Sequence, residues 1–207
     1  MTVFLGSWVT TIFDPAKDPL IVQNFSVNSI AKRVLNKIEL QKQFGLTQDE
    51  RTPIISFLGR LDKQKGLHLI LEILPFVLDE LKVQFVVLGG GDAQFANEFR
   101  LLSQKYPGRV GTHLYANFKL PRKIFAGSDV ILMPSMFEPG GIVALEAMRY
   151  GCVPIVRRTG GLSDVVQDFN PTNKKGNGFS FSGTNSLGLL VAIARAVETY
   201  RNEKLWS

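Results

Sequence analysis

Residues 83–115 read VQFVVLGGGDAQFANEFRLLSQKYPGRVGTHLY, and this stretch decides the fold class. VQFVVLG is an apolar run without polar alternation, which is typical of a strand covered on both faces. AQFANEFRLLSQKY then has the period of a helix, and RVGTHLY is a second β-type run. Two parallel strands joined by a helix form a βαβ unit. The stretch therefore predicts a parallel sheet with helices on its faces.

The same alternation extends in both directions from this stretch. It begins at Pro53 with PIISFLG and GLHLILEILPFVLDEL, and it continues with LPRKIFAGS, DVILMP, IVALEAMRYG, VPIVRR, GFSFSG and SLGLLVAIARAVETYRN. Repeated strand and helix segments predict one α/β domain with a doubly wound parallel sheet. Because such sheets bind ligands at the carboxyl ends of their strands, we expect the functional residues in the loops that follow each strand.

The segment before Pro53 is less regular. TTIFDPAKDPLIVQNFS predicts an extended arm with turns at its two Asp-Pro pairs, and SIAKRVLNKIELQKQFG predicts one amphipathic helix that ends at Gly45. Residues 168–178, DFNPTNKKGNG, have the composition of a surface loop. We therefore expect residues 1–207 to be one domain, in which residues 1–52 form an arm and a helix leading into the sheet.

Composition excludes several classes of protein. The net charge is +6, but the basic residues are scattered and the densest runs are pairs such as Arg157-Arg158, which suits a phosphate-bearing ligand and not a nucleic acid. The single cysteine, Cys152, lies in the apolar run GCVPIV and is expected to be a buried hydrophobe in a reducing compartment. MTVFLGSWVTTIF has neither a basic leader nor a membrane-length apolar run, which predicts a cytoplasmic protein with no membrane partner.

The loop after the first predicted strand carries two cations. It reads GRLDKQKGLHLI, with Arg60 at the strand end and Lys65 beside Gly66 at the start of the next helix. A guanidinium and an ammonium next to a helix N-terminus can bind a diphosphate. The spacing is equally compatible with two solvated loop charges.

Two glycine-rich loops follow other strands. LGGGDAQF departs from the G-x-G-x-x-G pattern, so its three glycines indicate a tight turn at least as well as a ligand contact. RRTGGLSDVV places Thr159, Gly160 and Gly161 after the strand VPIV, where we expect a loop rich in backbone donors.

The richest loop contains a glutamate and two glycines after the strand DVILMP. Glu138 precedes Gly140 and Gly141 and should stand at the carboxyl edge of the sheet. The free N–H groups of a helix that begins near Ile142 should lie beside it. A carboxylate in this position can accept hydrogen bonds from the hydroxyls of a sugar.

A second glutamate, Glu146, lies eight positions further on, inside the predicted helix. At 1.5 Å per residue the two carboxylates are up to about 12 Å apart, beyond the roughly 5 to 9.5 Å of paired glycosidase carboxylates. The spacing argues against a hydrolase and favours one carboxylate at each end of an elongated ligand, such as a nucleotide-sugar. Glu146 is either partly buried with a partner or a solvent-exposed helix residue.

These motifs together resemble the starch and bacterial glycogen synthases, retaining glycosyltransferases with two Rossmann-like domains in the GT-B arrangement. The matching stretches are FDPAKDPLIVQNFS, GRLDKQKG, AGSDVILMPSMFEPGG and AMRYGCVPIVRRTGGLSD. They cover most of the chain and match only the C-terminal, donor-binding half of the family. The acceptor half is expected to lie in an N-terminal domain outside this sequence.

The resemblance implies a role for each matching residue. Arg60 and Lys65 would bind the donor diphosphate, and Glu138 would hold the transferred glucose, which makes these three the implied catalytic residues. The remaining implied donor contacts come from the loops and the helix at the same edge: Gly140, Gly141, Ile142, Glu146, Thr159, Gly160, Gly161 and Leu162.

The sequence departs from the starch synthase pattern at two positions. Those enzymes usually have Cys where this chain has Gly140, and they usually lack a counterpart of Glu146. EPGGIVALEA looks like the broader group of retaining transferases, in which the second glutamate grips the nucleotide ribose. Tyr115 lies one position from the base-stacking tyrosine of bacterial glycogen synthases. The donor is therefore expected to be either ADP-glucose or UDP-glucose.

The resemblance implies transfer of glucose from the nucleotide-glucose to the non-reducing end of an α-1,4-glucan, with retention and without a metal or cofactor. The isolated chain should be inactive, because the acceptor would bind through the N-terminal domain. His68 and His113 fall in a helix and a strand pattern, which predicts structural roles for both. Plastid stroma is the alternative location if the source is a plant or an alga. A stand-alone, non-catalytic module that binds nucleotide-sugar or docks on a partner is the alternative function.

Overall fold

Six parallel strands form one sheet in the computed structural model, which describes residues 13–206. Their spatial order is β3-β2-β1-β4-β5-β6, with the change of direction between β1 and β4, so the doubly wound sheet is confirmed. The prediction about MTVFLGSWVTTIF falls, apart from Phe13, outside the described residues. The strands are β1 Ile54–Leu58, β2 Gln84–Leu88, β3 Val110–His113, β4 Val130–Met133, β5 Val153–Arg157 and β6 Phe179–Phe181.

Helices connect successive strands, and the predicted long helices are confirmed. No helix among the described residues is both long and apolar enough to cross a membrane. Two 3₁₀ helices, Val27–Lys32 and Lys63–Lys65, precede α-helical segments. The α-helices are α1 Arg33–Gln43, α2 Leu67–Leu81, α3 Ala93–Lys105, α4 Leu120–Gly127, α5 Ile142–Arg149, α6 Gly160–Val165, α7 Ser186–Arg201 and α8 Glu203–Trp206.

Two sequence predictions about local structure are wrong. Residues 29–45 are not one amphipathic helix, because Ser29 leaves helical geometry at φ −135° and ψ 29°, the first turns are 3₁₀ and α1 ends at Gln43. Residues 160–165 are the short helix α6 and not an open loop. Burial of Leu162 in the core outweighs the poor helix propensity of the two glycines that begin α6.

Both faces of the sheet are covered, as the apolar strands predicted. Along β2, Phe85 and Val87 pack with α2, α3 and α7, whereas Val86 and Leu88 pack with α1 and α4. The side chains of a strand alternate between the two faces, so an uninterrupted apolar run requires helices on both. Only the edges of the sheet and the loops at its ends remain for ligands.

A buried charge cluster joins the first and last long helices to the sheet. The Asp129 carboxylate, at the start of β4, accepts hydrogen bonds from the Ile54 N–H at 2.8 Å and from Lys37 Nζ at 2.8 Å. Lys37 Nζ also donates to the Tyr200 hydroxyl of α7 at 2.7 Å. Arg33 of α1 lies 3.5 Å from the other Asp129 oxygen. The cluster lies at the amino ends of β1 and β4, opposite the edge where the candidate site lies.

Candidate functional site

Lys65 and Glu138 form an ion pair at the carboxyl edge of the sheet. Lys65 Nζ lies 2.7 Å from Glu138 Oε2, and the two side chains are only 25% and 19% exposed. The Asp62 carboxylate accepts a hydrogen bond from the Lys65 N–H at 3.0 Å and so caps the 3₁₀ turn that carries the lysine. The structure therefore places Lys65, which was predicted to bind phosphate, in contact with Glu138, which was predicted to bind the sugar.

Close backbone packing brings the two loops together. Gly66 has φ +75°, and a Cβ there would lie 2.2 Å from the Pro134 carbonyl oxygen at the end of β4. Two residues earlier, the Gln64 carbonyl accepts a hydrogen bond from the Met136 N–H at 2.7 Å. Only glycine combines this conformation with such an approach. Lys65 lies between these two contacts, which fixes it beside the Glu138 loop.

The opposite side of the Glu138 loop rests on the segment after β5. The Gly161 N–H donates a hydrogen bond to the Glu138 carbonyl at 2.9 Å. A Cβ on Gly160 would lie 2.4 Å from that same carbonyl oxygen, so the two loops pack backbone to backbone. The Arg157 guanidinium also donates to backbone carbonyls of the loop. Arg157 was not predicted as a site residue, because its only signal in the sequence is a cation at the end of a buried strand.

The predicted contacts at Thr159, Gly160, Gly161 and Leu162 differ in what they can offer a ligand. The Gly161 amide is already bonded to Glu138, and the Leu162 amide donates to the Thr159 carbonyl at 3.1 Å. The Leu162 side chain is fully buried in the core. Within residues 13–206, the N–H of Gly160 has no acceptor. The Thr159 hydroxyl donates a long hydrogen bond of 3.4 Å to the Met136 carbonyl, so the Gly160 N–H is the group of this segment that a ligand can reach without displacing a described contact.

The N-terminus of α5 supplies further backbone donors. Gly141 caps the helix with φ +61°, and its carbonyl accepts a hydrogen bond from the Ala144 N–H at 3.0 Å. In the part of the chain that the structure describes, the N–H groups of Gly140, Gly141 and Ile142 meet no acceptor. Free N–H groups and the positive end of a helix together favour an anion.

A cavity of about 390 Å³ lies at the carboxyl ends of β1 and β2. Its walls are mostly apolar, and its charged lining residues are Arg60 and Glu146. The Arg60 side chain is 70% exposed and lies 3.1 Å from Asp62. The remaining lining residues come from the ends of the first strands, the segment after β3, α4 and α5: Leu58, Gly59, Leu88, Gly89, Gly90, Tyr115, Ala116, Asn117, Phe118, Pro121, Phe125 and Val143.

Glu146 is half-buried in the wall of this cavity. Burial raises the pKa of its carboxyl from 4.5 to about 7, although the Arg122 charge acts in the opposite direction. Across residues 13–206, no side chain or backbone group forms an ion pair or hydrogen bond with this carboxylate. Glu146 is thus half-buried but has no partner among residues 13–206, so the structure differs from both sequence interpretations of this residue. A half-buried carboxylate facing a cavity is a ready acceptor for ligand hydroxyls.

The glycine run after β2 shapes the cavity wall through packing. A Cβ on Gly89 would lie 1.8 Å from the Gly59 carbonyl oxygen, so this glycine is required where two loops touch. Gly90 lies against the backbone of Tyr115. The Tyr115 ring is 65% exposed and lies 3.9 Å, centroid to centroid, from the His113 ring. The glycines of LGGGDAQF thus allow close backbone packing, and Gly89, Gly90 and Tyr115 also line the cavity.

The two histidines and the single cysteine were also considered from sequence. His68 lies in α2 and His113 at the end of β3. Cys152 is fully buried, and burial raises the pKa of its thiol to about 12. The described residues contain no group of three or more His, Cys, Asp or Glu side chains that could hold a metal ion.

Comparison with known proteins adds relatives of known class. A family model described as "Glycosyl transferases group 1" matches residues 36–205. The glycogen synthase of Clostridium perfringens is 45% identical over 194 residues, which are 94% of this chain and 40% of the synthase. That of Geobacillus thermodenitrificans is 42% identical, again over 94% of this chain and 40% of the synthase. The chain thus spans about two fifths of the length of the curated relatives it matches.

Solved structures give the same assignment. The catalytic domain of starch synthase IV from Arabidopsis thaliana, bound to ADP and acarbose, is 35% identical with a TM-score of 0.88 over 95% of this chain and 41% of that one. The C-terminal domain of a group 1 glycosyl transferase from Francisella tularensis shares the fold alone, at 18% identity and a TM-score of 0.59, over 95% of this chain and 93% of that one. The chain belongs to the group 1 glycosyl transferases, has the α/β fold of a GT-B domain and is similar to glycogen and starch synthases.

Proposed function

We propose that the chain is the donor-binding domain of a glycogen or starch synthase. The enzyme transfers glucose from ADP-glucose or UDP-glucose to the non-reducing end of an α-1,4-glucan with retention. The observation that carries this proposal is the Lys65–Glu138 ion pair, which lies at the same carboxyl edge of the sheet as the free N–H groups of α5 and a cavity lined by a half-buried carboxylate. These three features match the phosphate, sugar and nucleoside parts of one donor.

The ion pair explains how one site can recognise opposite chemistries. Lys65 is a cation that a diphosphate oxygen can approach, and Glu138 is an acceptor for sugar hydroxyls. Each holds the other in place while the site is empty. When the donor binds, the phosphate shares the ammonium and the sugar shares the carboxylate, so neither group is left in a partly buried site without a partner. Lys65 and Glu138 therefore both have partners before the donor binds and after it has bound.

The cations would also act during the reaction. Departure of the nucleoside diphosphate leaves negative charge on the β-phosphate oxygens. Lys65, Arg60 and the N–H groups of Gly140, Gly141 and Ile142 would stabilise that charge as it develops, which is the transition-state contribution expected of preorganised donors and cations. In this proposal no step requires a metal or a cofactor, because these groups neutralise the leaving group.

The nucleoside would lie in the cavity. Glu146 would accept hydrogen bonds from the ribose hydroxyls, and the apolar walls with the Tyr115 ring would contact the base. None of the lining groups distinguishes adenine from uracil by charge, so either nucleotide-glucose satisfies the proposal. The glucan acceptor would bind through an N-terminal domain that completes the cleft.

Titration calorimetry with two ligands tests the division of roles. Glu138→Ala should weaken nucleotide-glucose binding about tenfold and leave the bare nucleotide nearly unchanged, since only the first ligand has the sugar. Glu146→Ala should weaken both ligands alike, because the ribose is common to them. Glu80→Ala, which changes an exposed glutamate of α2, is the matched control. Equal loss of both ligands in Glu138→Ala would contradict the sugar assignment.

An activity assay tests the need for a second domain. The 207-residue chain alone should not elongate glucan, because a closed cleft is needed to exclude water and position the acceptor. Elongation by this chain at the rate of intact relatives would contradict the proposal. Binding of nucleotide-glucose without any activity, even when the chain is joined to the N-terminal part of a related synthase, would favour a binding module instead.

A further inference from the structure

Arg157 contacts the loop that carries Glu138. It is the last residue of β5, and its half-buried guanidinium reaches across to the segment after β4. Its Nε donates a hydrogen bond to the Ser135 carbonyl at 2.9 Å, and one of its terminal nitrogens donates to the Met136 carbonyl. Within the described ranges, no carboxylate lies within ion-pair distance of Arg157. The described hydrogen bonds of the Arg157 guanidinium are therefore those to these two backbone carbonyls.

A guanidinium is suited to this contact. Its planar fork holds several N–H donors in fixed directions, so it can bond two successive carbonyls at once. A lysine ammonium is a point charge on a flexible stem and cannot reproduce both bonds with the same geometry. The two bonds therefore fix both the position and the direction of the backbone at Ser135 and Met136.

The loop depends on such contacts because it has no regular structure between β4 and α5. Its other anchors include two backbone hydrogen bonds, from the Met136 N–H to Gln64 and from the Gly161 N–H to Glu138, and a longer bond of 3.4 Å from the Thr159 hydroxyl to the Met136 carbonyl. Ser135 is buried, and its hydroxyl lies 3.4 Å from Glu138 Oε2. A shift of the Ser135 backbone would therefore move both the hydroxyl beside the carboxylate and the start of the segment that ends at Glu138.

We propose that Arg157 is a positioning residue. It holds residues 135–138 so that the Glu138 carboxylate contacts Lys65 where the sugar binds. The sugar-binding half of this statement rests on the proposed function. The loop-holding half rests on the hydrogen bonds alone. Arg157 touches no ligand in this proposal and acts only through the loop.

The test compares three variants of the 207-residue chain. Arg157→Met removes both hydrogen bonds and keeps a long side chain, Arg157→Lys keeps the charge, and Arg158→Met is the control because that neighbouring side chain is exposed and its described contact is through the backbone. Amide hydrogen exchange at Met136 and Gly161 reports on the loop, and exchange along β2 reports on the fold. Calorimetry with nucleotide and nucleotide-glucose reports on recognition.

In Arg157→Met, the Met136 and Gly161 amides should exchange about tenfold faster while β2 keeps its protection, as expected when a local anchor is lost. The preference for nucleotide-glucose over nucleotide should fall by about tenfold, the usual consequence of losing hydrogen bonds to a charged group. Arg157→Lys should give intermediate values, and Arg158→Met should match the unmodified chain.

Two results would overturn the proposal. Unchanged exchange at Met136 and Gly161 in Arg157→Met would show that the loop does not need this anchor. Faster exchange with an unchanged preference for nucleotide-glucose would show that the loop position does not control sugar recognition. If the unmodified chain has no preference for nucleotide-glucose, the proposed function fails, and the exchange data then decide the loop-holding role separately. If Arg157→Met loses protection in β2 as well, Arg157→Lys gives the same two readings.

Discussion

Lys65 and Glu138 lie at one end of the site with every charge paired inside the protein, whereas Arg60, Tyr115 and Glu146 lie at the other end around an open cavity. We call these the paired end and the open end. At the paired end, backbone contacts fix the geometry before a ligand arrives. At the open end, the Glu146 carboxylate has no ion-pair or hydrogen-bond partner among residues 13–206, and the Arg60 side chain is mostly in solvent. The paired end should therefore be sensitive to packing, and the open end to pH and salt.

The largest effect is expected from packing at the paired end. Gly66→Ala places a Cβ 2.2 Å from the Pro134 carbonyl oxygen in a left-handed conformation, and should lower the free energy of unfolding by about 3 kcal/mol. Gly140→Ala is the matched control at the N-terminus of α5, because its Cβ would meet only the Ile142 side chain at 3.5 Å. That control should change stability by less than about 0.5 kcal/mol. Urea unfolding curves that coincide for the two variants would refute the packing argument.

The next effect concerns the cation of the paired end. Lys65→Met should weaken nucleotide-glucose binding by about 10- to 100-fold, because it removes a fixed positive charge and leaves Glu138 unpaired near the phosphate. Lys63→Met changes an exposed lysine of the same 3₁₀ turn and should have little effect. Calorimetric titration measures both. Equal affinities for the two variants would remove Lys65 from the phosphate site.

A smaller effect is expected from pH at the open end. Burial raises the pKa of the Glu146 carboxyl from its ordinary value of 4.5 to about 7 in the folded state. Between these two pH values, the folded chain keeps a proton that the unfolded chain has already lost. Stability from this group is therefore present below about pH 4.5 and is lost as the pH rises through about 7. Glu146→Gln stays neutral, and its stability advantage over the unmodified chain should grow to about 1 kcal/mol near pH 8, after allowance for partial exposure.

Thermal unfolding at a series of pH values measures this advantage. Glu80→Gln, at an exposed position of α2, supplies the control and should follow the unmodified chain at every pH. A constant difference between Glu146→Gln and the unmodified chain from about pH 5 to 8 would show that the carboxyl is not destabilised by burial.

The smallest effect is expected at Arg60. Because its side chain is 70% exposed and shares its charge with Asp62, Arg60→Met should weaken nucleotide binding only about threefold at moderate salt. The effect should shrink further as salt is added, whereas the effect of Lys65→Met should persist. If Arg60→Met lost as much nucleotide affinity as Lys65→Met, and the loss did not depend on salt, the two ends of the site would not differ in this way.

Much of the fold could be predicted from the sequence because its elements are strongly patterned. The strands are continuous apolar runs, and the long helices have an apolar stripe and clear ends. Helix α6 could not be predicted, since its opening glycines disfavour a helix and its stability comes from burying Leu162. The 3₁₀ start of the first helical segment was missed for a related reason, because the conformation of Ser29 is not encoded in periodicity.

The residues of the site were easier to predict than their contacts. Loops after strands pointed to Arg60, Lys65, Glu138 and Glu146, and the topology brings all four to one edge. The direct contact between Lys65 and Glu138 spans 73 positions and depends on the fit of Gly66 against Pro134, which no local pattern shows. The exposure of Arg60 and the burial of Glu146 likewise follow from tertiary packing.

The Asp129 cluster has a consequence for how the domain unfolds. Lys37 joins it across 92 positions and reaches Tyr200 across 163, so these contacts close only when distant parts of the chain are already in place. Detaching α1 alone would leave the Asp129 carboxylate buried without Lys37 and Arg33, which is strongly unfavourable, whereas detaching α7 would remove only the neutral Tyr200 hydroxyl. Helix α1 should therefore open only together with the strands that Asp129 joins, and its slowest-exchanging amides should share one opening free energy with those of β1 and β4.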